Sequence, residues 1–161
     1  MLGFNFGFSW KNWEFDSQWT AAWNVSRMIS DVFRQPFTSA TGPTTGGLLA
    51  YHLDNTWTPD NPSQSAKYPR PTWENATNNY ASSTLYEKDS KYLRLKTLQL
   101  AYNFNFPWMK KLKMNTCQLA LSGYNLLTFT PYLWGDPETR ASNAPSYPLA
   151  RTYTLSLKLG F

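Results

Sequence analysis

Strict two-residue alternation at both ends of the chain is the strongest constraint on how it folds. In LGFNFGFSW, Leu2, Phe4, Phe6, Phe8 and Trp10 are separated by Gly3, Asn5, Gly7 and Ser9. In RTYTLSLKLGF, Tyr153, Leu155, Leu157, Leu159 and Phe161 alternate with Thr152, Thr154, Ser156, Lys158 and Gly160. Successive side chains of a strand point to opposite faces, so each stretch reads as a strand with one apolar and one small or polar face. An amphipathic helix needs spacings of three and four, which neither stretch offers.

The same pattern recurs three times between the ends. Trp13, Phe15, Trp19, Ala21, Trp23 and Val25 oppose Glu14, Asp16, Gln18, Thr20 and Asn24, and Lys11-Asn12 is a tight polar turn before them. That makes the first two stretches a hairpin. Leu98, Leu100, Tyr102, Phe104 and Phe106 share a third apolar face, against Thr97, Gln99, Ala101, Asn103 and Asn105. After the connector PWMKKLKM, Cys117, Leu119 and Leu121 begin a fourth, with Gly123 marking a bulge or close packing. The predicted strands are about 2–10, 13–25, 91–106, 115–129 and 149–161.

Between them, connections alternate short and long. The stretches 26–89 and 130–148 lack periodicity, and the first holds most of the prolines. A short helix near Val25–Phe33 is its only helical signal. Loops this long within a compact domain are functional or disordered. Strands of about ten residues suit a tilted membrane crossing, and short turns on one rim with long loops on the other is the layout of an outer-membrane β-barrel. Aromatic residues gather at the short-turn ends: Trp10, Trp13, Phe106, Trp108 and Phe161. That placement suggests an interfacial girdle, against the simpler preference of aromatics for strands.

Composition agrees with this class. Aromatics make up 17% and charged residues only 16%, where globular chains average about 25%. The net charge of +5 has no Lys/Arg block dense enough for nucleic acid, so no nucleic-acid partner is expected. No apolar run approaches the roughly 18 residues of a membrane helix, and membrane barrels have low mean hydropathy. MLGFNFGFSW lacks the marks of a signal peptide, so an exported protein would begin upstream of Met1. Five strands do not close a barrel, and most of it is expected to lie upstream.

The wording of several stretches goes further. YLRLKTLQLAYNF, LSGYNLLTFTPYLWGDPE and YPLARTYTLSLKLGF, with HLDNTWTPDNPSQSAKYPRPT and NNYASSTLYEKDSKYLRLK, resemble the C-terminal end of SusC-like (SusC/RagA) TonB-dependent transporters of the Bacteroidota outer membrane. The resemblance covers essentially the whole chain. It departs at Ala101 and Ala150, where Gly and Pro would be expected. It implies an all-β fold: an antiparallel transmembrane β-barrel segment, the last five strands of a plugged barrel of about 22 strands with long external loops. It also implies import of glycans or oligopeptides, a SusD-like lipoprotein lid and energy from the TonB complex through a plug domain absent here. On this reading the strand ending at Phe161 faces lipid through Tyr153, Leu155, Leu157, Leu159 and Phe161, and resembles the signal read by the barrel assembly machinery.

Candidate sites are few. One His and one Cys assemble neither a His-based triad nor a conventional zinc site. His52 could join Asp54 at a metal, although a lone loop histidine is more often a surface residue. Asp136 with Glu138, and Asp54 with Asp60, read as solvated loop charges without acid and base roles. There is no phosphate loop, and neither cofactor nor enzymatic activity is expected. The loop aromatics Trp57, Trp73 and Trp134, with Tyr51 and Tyr68, are the ligand-binding candidates, since flat rings stack on sugars. Packing among the loops or against a lid is the commoner role for any one of them. Lys110, Lys111 and Lys113 fall at the short-turn rim, where they could meet lipid headgroups or simply solvate a turn. The competing fold is a soluble all-β carbohydrate-binding module.

Overall fold

The computed structural model describes residues 1–29, 31–37, 48–71, 78–138 and 149–161. The strands are β1 (Leu2–Trp10), β2 (Trp13–Ala22), β3 (Ser26–Met28), β4 (Glu87–Asp89), β5 (Tyr92–Asn103), β6 (Thr116–Phe129) and β7 (Thr152–Gly160). The helices α1 (Asp31–Arg34) and α2 (Ala50–Asn55) are short. Two compact units result: Met1–Val25, Lys91–Pro131 and Pro148–Phe161 form a wall, and Ser26–Ser90 with Tyr132–Tyr147 form a loop unit.

The wall is one open antiparallel sheet in the order β1-β2-β5-β6-β7. Its register aligns the apolar positions from strand to strand. Phe4 lies opposite Trp19, Phe8 opposite Phe15 and Trp10 opposite Trp13. Trp13 in turn faces Tyr102, which faces Leu119, which faces Leu157. Leu100, Leu121 and Leu155 form the next row. Directly paired side chains are the unit of sheet stabilisation, so these rows fix the register.

Two positions interrupt the apolar face, and each is filled locally. Ser17 donates its hydroxyl hydrogen to the Phe6 carbonyl at 3.1 Å, so no polar group is left open. Gly123 leaves a gap that Leu126 occupies; a Cβ there would meet the Leu126 methyl at 2.7 Å.

The register shifts between Gln18 and Trp19, and between Leu95 and Thr97. No residue of β2 intervenes there, while β5 inserts Lys96 and β6 inserts Asn125 and Leu126. Asn125 takes a positive φ of 53°, which Asn tolerates better than most residues. Such bulges bend a strand and increase its twist. The bulge also switches the face of β5, so that Leu93 and Leu95 join Leu98, Leu100 and Tyr102.

The pairing runs shorter than the alternation. β2 stops at Ala22, because Asn24 has a φ of 56° and Trp23 is exposed. β5 stops at Asn103, and a 3-10 turn follows at Pro107–Lys110.

The stretch without periodicity is not structureless. Where a helix near Val25–Phe33 was expected, Ser26–Met28 pairs with Glu87–Asp89 and only Asp31–Arg34 is helical. The loop unit has its own core of Ile29, Tyr68, Tyr80, Tyr86 and Tyr132, with Tyr51 and Trp134 half-buried against it. Four tyrosines in one small core need polar partners for their hydroxyls. Tyr86 finds one by donating to the Asn79 carbonyl at 2.6 Å.

Candidate functional site

The two faces of the wall differ in chemistry. On the polar face, Glu14 of β2 accepts hydrogen bonds from Asn103 Nδ2 of β5 at 2.6 Å and Gln118 Nε2 of β6 at 3.1 Å. Arg94, almost wholly buried, donates from Nε to Thr128 Oγ1 at 3.0 Å and lies near the Tyr92 ring. A polar depression on this face is lined by Gly7, Ser9, Glu14, Asp16 and Gln99, among others. Cross-strand polar ties of this kind suit a face that meets water or protein.

The apolar face is bare. Leu2, Phe4, Phe6, Phe8 and Trp10 of β1 are 50–69% exposed, and Tyr153, Leu155, Leu157 and Leu159 of β7 are 46–70% exposed. Soluble monomers rarely expose contiguous apolar patches beyond a few hundred Å². A soluble sandwich buries this face against a second sheet, and here Leu100 of β5, Leu119, Leu121 and Leu127 of β6 and the leucines of β7 remain open.

At the short-turn end the apolar face becomes aromatic. Trp13 meets Tyr102 edge-on at 4.8 Å, and Tyr102 meets Phe104 at 4.8 Å. Phe104 stacks on Phe106, which stacks on Trp108. On the neighbouring turn the Lys11 ammonium sits 4.7 Å from the Trp10 ring centroid. Amphipathic rings and cations gathered at strand ends are what a membrane–water interface selects.

In the loop unit the expected ligand-binding aromatics divide. Tyr68 is buried in the core, where its ring meets Tyr51 edge-on at 5.9 Å. Trp134 contacts Tyr51 at 6.0 Å and Tyr132 at 5.7 Å. Trp57 is bound through its backbone N–H to the Tyr68 carbonyl at 3.0 Å, and the residue is 36% exposed. Trp73 lies outside the described residues. Burial pushes the Tyr68 hydroxyl up to about 12, an effect the Trp134 indole partly offsets. Burial likewise pushes Tyr86 up to about 12 and raises Tyr132. Lys88, 5.9 Å from the Trp134 ring centroid, is lowered by burial and then by Lys67.

His52 is not the surface residue its loop position suggested. It is 1% exposed on α2, and its Nε2 donates to the Phe33 carbonyl at 2.8 Å. That hydrogen bond ties α2 to the end of α1. Among the described residues no three His, Cys, Asp or Glu side chains cluster to hold a metal. Asp136 accepts the Glu138 backbone N–H at 2.8 Å, an ordinary turn contact.

Sequence reasoning missed two sets of residues. The Glu14–Asn103–Gln118 cluster follows from the alternation once the register is known. The core tyrosines Tyr80, Tyr86 and Tyr132 had only one signal, the density of tyrosine within proline-rich loops.

A sheet with one bare apolar face, one hydrogen-bonded polar face and an aromatic belt at its turns is the wall of a transmembrane β-barrel. No protein-family model matches the chain. TonB-dependent receptor P3 of Formosa agariphila is 30% identical over 173 residues, covering 99% of this chain and 16% of the relative. TonB-dependent receptor P26 of the same organism is 32% identical over 117 residues, covering 65% of this chain and 12% of the relative. The chain belongs to the SusC-like TonB-dependent receptors. It thus spans only a small part of the curated relatives it matches. The RagAB peptide importer in its open-open state is similar over 99% of this chain and 17% of that chain, with a TM-score of 0.69 and 25% identity. In its closed-closed state the TM-score is 0.73 at 23% identity, over the same shares, which speaks to the fold. These relatives are named as receptors or importers, not as enzymes.

Proposed function

We propose that this chain is the last five strands and two large external loops of a SusC-like transporter in the bacterial outer membrane. The short turns face the periplasm. The whole protein imports oligopeptides or glycans under a SusD-like lipoprotein lid, and the TonB complex drives it through a plug domain encoded elsewhere in the longer chain. The observation that carries this reading is the apolar face running in register across all five wall strands. The naming of the RagAB neighbours as peptide importers favours oligopeptides as cargo.

Uptake of labelled oligopeptides and oligosaccharides by cells expressing the full-length protein tests the proposal. Uptake of one class is expected to fall to background when TonB is removed. Uptake that persists without TonB, or that is absent for both classes, refutes it.

The free edge of β7 pairs in this reading with the first strand of the barrel, since an open edge in lipid leaves backbone groups unsatisfied at several kcal/mol each. Tyr153, Leu155, Leu157, Leu159 and Phe161 then serve as the assembly signal. Deleting Phe161 from the full-length protein is expected to lower its outer-membrane level severalfold by quantitative blotting; an unchanged level sinks the signal reading.

Among the loop aromatics, Trp57 and Trp73 are proposed to stack on ligand, with Trp134 contributing any edge its packing leaves open. Trp57→Ala is expected to weaken ligand binding about fivefold with surface expression unchanged. Trp134→Ala is expected to destabilise the loop unit by ~2 kcal/mol, about half the cost of truncating a fully buried aromatic. Titration calorimetry and thermal unfolding separate the two effects, and equal ligand affinity in Trp57→Ala refutes its stacking role.

A further inference from the structure

An open groove of about 340 Å³ lies on the apolar face near the short-turn rim. Leucines 100, 119, 121 and 155 form its walls, and the rings of Trp13, Tyr102 and Phe104 close one end. From that end the stacked rings of Phe106 and Trp108 continue into the 3-10 turn Pro107–Lys110. Lys110 closes this turn, and Lys111 and Lys113 follow at once. All three lysines are exposed, and none of their ammonium groups has a partner among the described residues. The segment from Phe104 to Thr116 contains no acidic residue.

An apolar slot, then interfacial rings, then unpaired cations is the order of groups along a phospholipid: acyl chain, glycerol, phosphate. A free anion has no use for the slot, and a neutral lipid has none for the lysines. We propose that this rim is a binding site for an anionic glycerophospholipid, with one acyl chain in the groove and its phosphate at Lys110, Lys111 and Lys113. The site rests on reading the wall as membrane-spanning with its short turns toward the phospholipid leaflet. Lys11, on the adjacent β1–β2 turn, adds a further positive charge at the same rim.

Native mass spectrometry of the full-length transporter tests this, using phosphatidylglycerol and phosphatidylcholine with identical acyl chains. The wild type is expected to retain phosphatidylglycerol on the order of a hundredfold over phosphatidylcholine. Each basic residue near an anionic surface is worth about fivefold in partitioning, so Lys110→Gln with Lys111→Gln and Lys113→Gln should bring the ratio close to one. If that triple variant does not fold, Lys111→Gln alone should still lower the ratio severalfold. Leu155→Trp fills the groove and should reduce retention of both lipids. Equal retention by the wild type, or an unchanged ratio in the lysine variants, overturns the site. Heat-modifiable migration of the same samples separates the two failures: a folded barrel without lipid preference refutes only the lipid site, whereas a protein that never forms a barrel refutes the membrane reading and the site with it.

Discussion

Leu121→Arg is expected to destabilise the full-length barrel by about 3 kcal/mol. Leu121 sits between Leu100 and Leu155 in the middle of the bare face, and it is 53% exposed. Strands rise about 3.3 Å per residue and tilt by about 45° in membrane barrels. Five residues from the start of β6 at Thr116, Leu121 therefore lies ~12 Å above the rim, near the middle of an apolar band about 25 Å tall. Arginine costs about 2–4 kcal/mol at that depth and falls to about 0–1 near the interface. Leu159→Arg, close to the short-turn end, should thus cost under about 1 kcal/mol. Thr154→Arg on the opposite face should cost equally little. Denaturant titrations in lipid vesicles give the comparison. Equal costs for Leu121→Arg and Thr154→Arg would mean that the two faces do not see different solvents.

Raising the pH from 10 to 12 is expected to unfold the loop unit. Burial holds the Tyr68 and Tyr86 hydroxyls near 12, whereas an unfolded tyrosine ionises near 10. Their contribution is complete below pH 10 and is lost as the pH rises toward 12, because the unfolded chain sheds those protons first. Two pH units correspond to on the order of 2–3 kcal/mol for each group. Tyr132 is raised in the same direction. Tyr86 has a second reason to stay neutral: its hydroxyl hydrogen serves the Asn79 carbonyl, and the phenolate would face that oxygen unprotonated. Tryptophan fluorescence should report the transition through Trp134, which packs on Tyr51 and Tyr132. Tyr86→Phe keeps the ring, loses about 1 kcal/mol at neutral pH with the hydrogen bond, and should move the alkaline midpoint upward. A midpoint that stays where it was would show that buried tyrosines do not set it.

The wall was largely legible because its information is local. Alternation alone assigned Leu2 through Trp10 and Tyr153 through Gly160 to their faces, and polar turns separated β1 from β2. Register added what alternation lacks: that Tyr102 stands between Trp13 and Leu119, and that Glu14 gathers Asn103 and Gln118. The loop unit was poorly legible because its contacts are remote in sequence. Tyr132 joins Ile29 and Tyr86 in one core, and no short window contains all three. His52 shows the same limit. Its burial depends on a carbonyl at Phe33, in another helix, which residue type and neighbours do not announce.

The single inserted residue at Lys96 marks where the numbering of β5's faces changes. On its short-turn side even numbers lie on the apolar face, and on the other side odd numbers do: Leu98 and Leu100, but Leu93 and Leu95. Deleting Lys96 would set Leu95 beside Thr97; their β2 partners Trp19 and Gln18 are already adjacent, so both halves would keep their faces and the bulge would close. Arg94 would stay opposite Thr20 on the polar face, and Leu93 and Leu95 on the apolar one. The inserted lysine therefore bends β5 rather than assigning its faces. Exchange of its side chain should be mild, and loss of the position should straighten β5 while leaving its alternation unbroken.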